Sequence, residues 1–209
     1  MDFQLVIFIK APVPGKVKTR LVPPLTFEQA AGAYKGWAQD LYKRFSSLKS
    51  LKVQIAYKPH ADFPTPEWLN PKKLLFGGLL EEIPFFLQKG KNLGERLNHA
   101  FNHTFKEGSK AAVIIGSDSP GLPLAYIKEA FHALNKADLV LGPSLDGGYY
   151  LVALKHGVES LKLFKNVIWS SSFVLEKTLE NAKKLNLKVH LLPEYFDIDE
   201  PNDLQFLNL

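Results

Sequence analysis

An α/β fold built on a mostly parallel sheet with helices on both faces is what this sequence predicts, and three observations predict it. Several short runs, FQLVIFI at Phe3–Ile9 and AAVIIG at Ala111–Gly116 among them, are apolar at nearly every position, as strands covered on both faces must be. These runs alternate along the chain with segments whose apolar residues recur at helical spacing. The polar turn Ser117-Asp118-Ser119-Pro120 joins one such strand to the helix after it, the strand–turn–helix order of an α/β unit.

The elements follow in order. After the first strand, Thr26-Phe27-Glu28-Gln29 is a Thr-x-x-Gln capping box that opens a long helix carrying Ala30, Ala31, Tyr34, Trp37, Ala38, Leu41, Tyr42 and Phe45 on one stripe. Lys52–Tyr57 is the next strand, and the Pro-rich stretch KPHADFPTPEWLNP after it is a surface loop. Leu74–Phe76 reads as a short strand, and Asn92 caps a helix running through about Lys106, with Glu95 three residues on. Ala111–Gly116 leads through the polar turn to a helix over Leu124–Asn135, whose first residue falls at Pro123. Asp138–Gly142 and Tyr149–Leu154 are strands separated by PSLDGG. Ser170–Ser172 read as the cap of a helix to about Asn186, Lys188–Leu192 as the last strand and Pro201–Leu207 as a closing helix.

The 209 residues, 46% apolar and 22% charged, suit one globular domain spanning 1–209, with no repeat or linker to divide it. No apolar run reaches the roughly 18 residues needed to cross a bilayer, and the first residues lack the pattern of a secretory signal, so a cytoplasmic protein is expected. With no cysteine, disulfides, thiolate metal sites and a cysteine nucleophile are excluded, and any metal must be held by oxygen or imidazole. Oligomeric state is not legible.

Chemistry concentrates in four places. The net charge of +5 is unremarkable, but from Phe3 to Phe27 there is no acid, while Lys10, Lys16, Lys18 and Arg20 crowd the loop IKAPVPGKVKTRL. That loop is neither a Walker A sequence nor a Gly-x-Gly-x-x-Gly fingerprint. Its prolines restrict it, Gly15 lets it turn, and its ammonium and guanidinium groups suit an oligophosphate; the competing reading is a solvated basic loop. Nucleic acid fits poorly, since the aromatic residues sit at core positions and not among the cations. Asp118 follows a buried strand, where it either binds a divalent cation or caps the next helix. Asp146-Gly147-Gly148 is by itself a tight turn. Asp197 and Asp199 stand two apart, on one side if the segment is extended. Oxygen ligands beside Lys and Arg suit Mg²⁺ or Mn²⁺ held between carboxylates and substrate phosphates. His99 and His103 are four apart but lack the glutamate of a His-Glu-x-x-His site, and no Gly-x-Ser-x-Gly elbow occurs.

Five stretches together, Lys10–Leu21, Asn92–Leu97, Gly116–Pro120, Gly142–Leu151 and Asp197–Leu204, resemble the DUF2064 family. That family belongs with the GT-A-like nucleotide-diphospho-sugar transferases, beside molybdenum-cofactor and 2-phospho-lactate guanylyltransferases. The resemblance implies a three-layer α/β/α Rossmann-like sandwich that binds a nucleoside triphosphate or nucleotide sugar and a small-molecule acceptor. It implies that Lys10, Gly15, Lys16, Lys18, Arg20 and Arg96 meet phosphates, that Asp118, Asp197 and Asp199 hold Mg²⁺ or Mn²⁺, and that Asp146, Gly147 and Gly148 line the acceptor pocket. Lys18, Arg20 and Asp118 would then form the catalytic set. The loop departs from sugar nucleotidyltransferases in having Ala-Pro-Val-Pro where they have glycines, which leaves the base open. The expected activity is metal-dependent nucleotidyl transfer from an NTP to a phosphorylated, sugar-like acceptor. Glycosyl transfer from an NDP-sugar, with Asp146 as base, and nucleotide binding without turnover are the alternatives.

Overall fold

A computed structural model describes residues 3–48, 51–60 and 83–208. Seven strands form one sheet: β1 (Phe3–Lys10), β2 (Lys52–Lys58), β3 (Phe85–Leu87), β4 (Ala111–Ile115), β5 (Leu139–Pro143), β6 (Tyr149–Lys155) and β7 (Val189–Leu191). Their order across the sheet is β3-β2-β1-β4-β6-β5-β7. β6 runs antiparallel to both its neighbours and every other pairing is parallel, so the mostly parallel sheet is as expected.

Alternation along the strands sorts the core into two layers. Leu5, Ile7, Ile9, Val53, Ile55, Val113 and Ile115 face α1 (Phe27–Ser46) and α3 (Leu124–Ala133), where Ala38, Leu41, Phe45 and Ile127 meet them. Val6, Ala56, Ala112 and Ile114 face the opposite way, toward Leu97, Ala100 and Phe101 of α2 (Leu93–Lys106), with Leu163 of α4 (Ser160–Leu163) and Ala182 of α5 (Val174–Lys184) completing that layer. Each large aliphatic side chain buried this way contributes about 1.5–3 kcal/mol before conformational entropy is counted. Helices on both faces make the three-layer sandwich.

The helix starts read from sequence are observed where side chains fix them. Thr26 and Gln29 form both halves of the capping box, and the Asn92 side chain accepts from the Glu95 N–H at 2.9 Å. Two helix starts differ. Pro123 stands outside α3 as its N-cap residue and not as its first helical one, and α3 stops at Ala133. The Ser170–Ser172 run does not cap α5: the helix begins at Val174 after Phe173, with no side-chain cap. Ser171 instead donates to the Ile168 carbonyl and accepts from the Phe173 N–H, a local turn that competes with helix entry. The closing helix is 3-10 over Pro201–Asn208, β3 and α4 were not anticipated, and the strand expected at Leu74–Phe76, like most of the Pro-rich loop, lies outside the described residues. No helix among the described residues is long and apolar enough to cross a membrane.

Candidate active site

In an open parallel sheet the carboxyl ends of the strands, where loops diverge, make the natural crevice. β1 and β4 are parallel neighbours, with Ile7 opposite Ile115, so the basic loop after Lys10 and the Ser117-Asp118 turn leave the same end of the sheet. The C-terminal segment is clipped beside them: the Ile198 N–H donates to the Asp118 carbonyl at 2.8 Å, and an isolated parallel bridge pairs Ser144 with Tyr195. Cations from the amino end and carboxylates from the middle and the tail thereby converge.

Lys18 is at the centre. Its backbone is left-handed, with φ of 47°, at the entrance to a single 3-10 turn over Thr19–Leu21. Its Nζ bridges the Asp118 carboxylate and Asp199 Oδ1, the latter at 2.8 Å, and lies 5.7 Å from the centre of the Trp37 ring. The Lys18 side chain is only 3% exposed, whereas Asp118 and Asp199 are 37% and 45% exposed. Burial opposes the Lys18 charge, but the two carboxylates outweigh it and raise the ammonium above its ordinary range. Burial likewise opposes ionisation of Asp118, and Lys18 and then Lys10 hold it below the ordinary carboxylate range. Asp118 therefore does not cap α3; its partner is a cation.

Two cavities meet at this ion pair and share Lys10, Tyr34, Asp118 and Ser170. The polar one, about 530 Å³, is lined by Lys16, Lys18, Arg20, Asp146, Asp199 and the Ser170–Ser172 run. The more apolar one, about 380 Å³, lies on the α2 side against Phe8, Arg96, Leu97, Leu151 and Trp169, with Asp197 at its edge. Tyr34 braces the junction: its hydroxyl accepts from the Lys10 N–H at 2.9 Å and shares a 2.8 Å hydrogen bond with Ser117.

The other expected residues divide. Gly15 lines neither cavity, nor do Gly147 and Gly148. Asp146 lines the polar cavity, but its carboxylate is committed to its own turn, accepting from Ser144 and from the Gly148 N–H at 3.0 Å. Gly147 has φ of 85°, and a Cβ there would stand 2.1 Å from the Ser172 carbonyl oxygen. Gly147 thus lets this loop press against the serine run, with the Leu175 N–H donating to its carbonyl at 3.0 Å. Gly147→Ala is expected to cost about 2–4 kcal/mol, read as a lowered urea midpoint at unchanged m-value.

Asp197 turns away from Lys18 and accepts a hydrogen bond from the Ser119 hydroxyl. Burial, assisted by the charges of Asp118 and Asp199, raises its pKa to about 6 from an ordinary 3.8. The native state therefore holds the extra proton between these values, and stability falls as pH rises through that window. Asp197→Asn should raise stability at neutral pH by about 1–2 kcal/mol and leave it nearly unchanged near pH 4, a difference that thermal melts at the two pH values would detect. Among the described residues no cluster of three or more carboxylates and imidazoles is arranged to hold a metal. Asp118 and Asp199 are the pair that already shares a cation.

Sequence reasoning missed Ser170–Ser172 as cavity wall, Tyr34 as a brace, and Lys58, which closes β2 opposite Lys10. The Lys58 signal was available, because a charged residue ending a buried strand that pairs in register with β1 extends over the same sheet face as Lys10.

A mostly parallel seven-stranded sheet with one reversed strand, helices on both faces and a crevice at its strand ends defines a Rossmann-like α/β protein. The DUF2064 family profile, whose description reads "uncharacterized protein conserved in bacteria", matches residues 42–171, and the chain belongs to that family. A Desulfovibrio desulfuricans G20 structure, provisionally classed as a nucleotide-diphospho-sugar transferase, is 32% identical and superposes with a TM-score of 0.87 over 99% of this chain and 87% of that one. A CMP:2-keto-3-deoxy-manno-octonic acid synthetase solved with CTP shares the fold at a TM-score of 0.58, 11% identity, and 99% and 97% coverage. In sequence, a 2-phospho-L-lactate guanylyltransferase of Methanocaldococcus jannaschii is 33% identical over 112 residues, 52% of this chain and 47% of that one, so the chain spans about half the length of that relative.

Proposed function

We propose that the protein is a nucleotidyltransferase that moves a nucleoside monophosphate from an NTP to a phosphorylated small-molecule acceptor. The observation that carries this reading is the Lys18 ammonium held between Asp118 and Asp199, beside Lys16 and Arg20, in a polar cavity of about 530 Å³. An acceptor phosphate oxygen attacks the α-phosphorus, the bond to the β-phosphate bridging oxygen breaks, and pyrophosphate leaves with the electron pair. The nucleophile is already an anion, so the protein needs no general base; it must align two polyanions and offset their charge.

The residues distribute accordingly. Lys16, Lys18 and Arg20 stabilise the departing pyrophosphate, and Arg20 adds planar donors that a lysine lacks. Lys10, at the junction of the cavities, serves the reacting phosphate. The all-oxygen pair Asp118 and Asp199, which already attracts a cation, fits Mg²⁺ or Mn²⁺; such an ion, when bound, would offset phosphate charge. Asp197, hydrogen-bonded to Ser119, supports the pair from behind. Glycosyl transfer is less well supported, because its one candidate base, Asp146, spends its carboxylate on Ser144 and Gly148.

The guanylyltransferase relative makes GTP with 2-phospho-L-lactate the first pair to try. Incubation with Mg²⁺, each of the four NTPs and a panel of phosphorylated acceptors should release pyrophosphate with at least one pair. Free NDP from NDP-sugars, with no pyrophosphate from any NTP, would assign glycosyl transfer instead.

A further inference from the structure

The cleft holds a second group of cations that the phosphate loop does not account for. Lys10 and Lys58 are the last residues of β1 and β2 and are paired in register. Strand alternation fixes where they point: Val6, Phe8 and Ala56, at even spacing from them, pack on the α2 face, so Lys10 and Lys58 extend over that same face. Arg96 comes from the first turn of α2, one residue before the buried Leu97, and lines the apolar cavity together with Lys10. Lys10 and Arg96 thus line the apolar cavity together, and Lys58 stands beside Lys10 on the same sheet face, close enough to feel both charges.

Among the described residues no carboxylate forms an ion pair with any of them. The carboxylate that feels Lys10 is Asp118, and its ion-pair partner is Lys18. Arg96 makes its Nε hydrogen bond to the Asn92 carbonyl, at 3.1 Å, a neutral acceptor. Elsewhere the chain pairs comparable lysines: Lys52 with Glu107 at 2.8 Å, and Lys177 with Glu180 at 2.6 Å. The repulsion is felt within the group. Burial, then Arg96, then Lys10 hold the Lys58 ammonium below its ordinary range, and burial alone lowers Arg96. Like charges gathered with no counter-charge among the described residues destabilise the free protein, and an anionic ligand relieves that cost.

We propose that Lys58, with Lys10 and Arg96, forms a second phosphate subsite on the α2 side of the cleft, separate from the Lys16/Lys18/Arg20 loop. The inference rests on the reading that the cleft takes phosphorylated substrates and extends it to a residue outside the five sequence motifs. The phosphate belongs either to the nucleotide or to the acceptor, and the two sources are separable by experiment.

Lysine acetylation of the full chain with an acyl ester, followed by mass spectrometry, reads the site directly. Millimolar inorganic phosphate should slow acetylation of Lys58 by about threefold relative to chloride at equal ionic strength, while Lys52 and Lys177 react alike in both. Arg96→Met, checked for an unchanged circular dichroism spectrum, should lose most of that protection. Equal Lys58 rates in phosphate and chloride would overturn the subsite, as would full protection in Arg96→Met. If GTP with Mg²⁺ protects Lys58 as phosphate does, the group is the nucleotide's. If GTP leaves Lys58 reactive and added phosphate still protects, it is the acceptor's. No nucleotidyl transfer need occur for the result, so missing pyrophosphate release with intact protection would count against the proposed reaction and not against the subsite.

Discussion

Asp118→Asn is expected to lower turnover by about 10²- to 10³-fold while leaving the fold in place. Asparagine keeps the size of the side chain and an oxygen that can accept from Lys18, and the Ile198 N–H still has the residue-118 carbonyl to bind. The Tyr34–Ser117 hydrogen bond that braces the end of β4 is untouched. What is lost is one of the two negative charges facing the Lys18 ammonium, and with it the divalent-cation site that we propose for the pair. The effect should therefore fall on kcat, measured by pyrophosphate release, with a melting temperature within a few degrees of wild type. Turnover within about twofold of wild type would place the chemistry away from this cleft, because no other carboxylate at the end of β4 could take over the role.

The parts legible in the sequence share a physical cause. β1, β2 and β4 are buried on both faces, so their composition announces them whatever lies around them, and the Thr26 and Asn92 caps are local hydrogen-bond devices that need no tertiary context. The site was legible as residue types: basic loop, Asp118, Asp199. Its pairing was not, because whether Lys18 faces a phosphate or two carboxylates depends on a 181-residue separation in sequence that only the sheet closes. The reversal of β6 had a usable signal. Parallel neighbours need a crossover of about a dozen residues or more, and PSLDGG is too short for one. The serine run misled for the opposite reason: cap residues also stabilise turns, and Ser171 used its hydroxyl to fold back on Ile168. Asp197 and Asp199 were grouped by spacing, yet the chain clipped at Ile198 sends one to Ser119 and the other to Lys18.

Lys18→Met separates structure from chemistry at the centre of the site. Methionine has nearly the reach of the lysine stem and can keep the contact with Trp37, but it leaves Asp118 and Asp199 facing each other without a cation. Removing one partner of a fully buried pair costs about 3–5 kcal/mol. Here the carboxylates are 37% and 45% exposed, so water screens part of the repulsion and about 1–3 kcal/mol is expected. The pH dependence has a definite sign. Lys18 is raised above 10.5 in the folded protein, so its contribution is complete below that value and lost only as pH rises through the folded pKa. Asp118 is depressed below 3.8, so its contribution is complete above that value and lost as pH falls through the folded pKa. The stability gap between wild type and Lys18→Met should then be flat across neutral pH and close in strong acid. Without the ammonium, the two carboxylates are free to attract another cation, and Mn²⁺ without nucleotide should bind and stabilise Lys18→Met more than wild type. Titration followed by manganese electron paramagnetic resonance reads that affinity with no turnover required. Equal or weaker Mn²⁺ binding by the variant would mean that Lys18 does not occupy the place of a divalent ion, and Asp118 with Asp199 would then be a structural anchor for the phosphate loop.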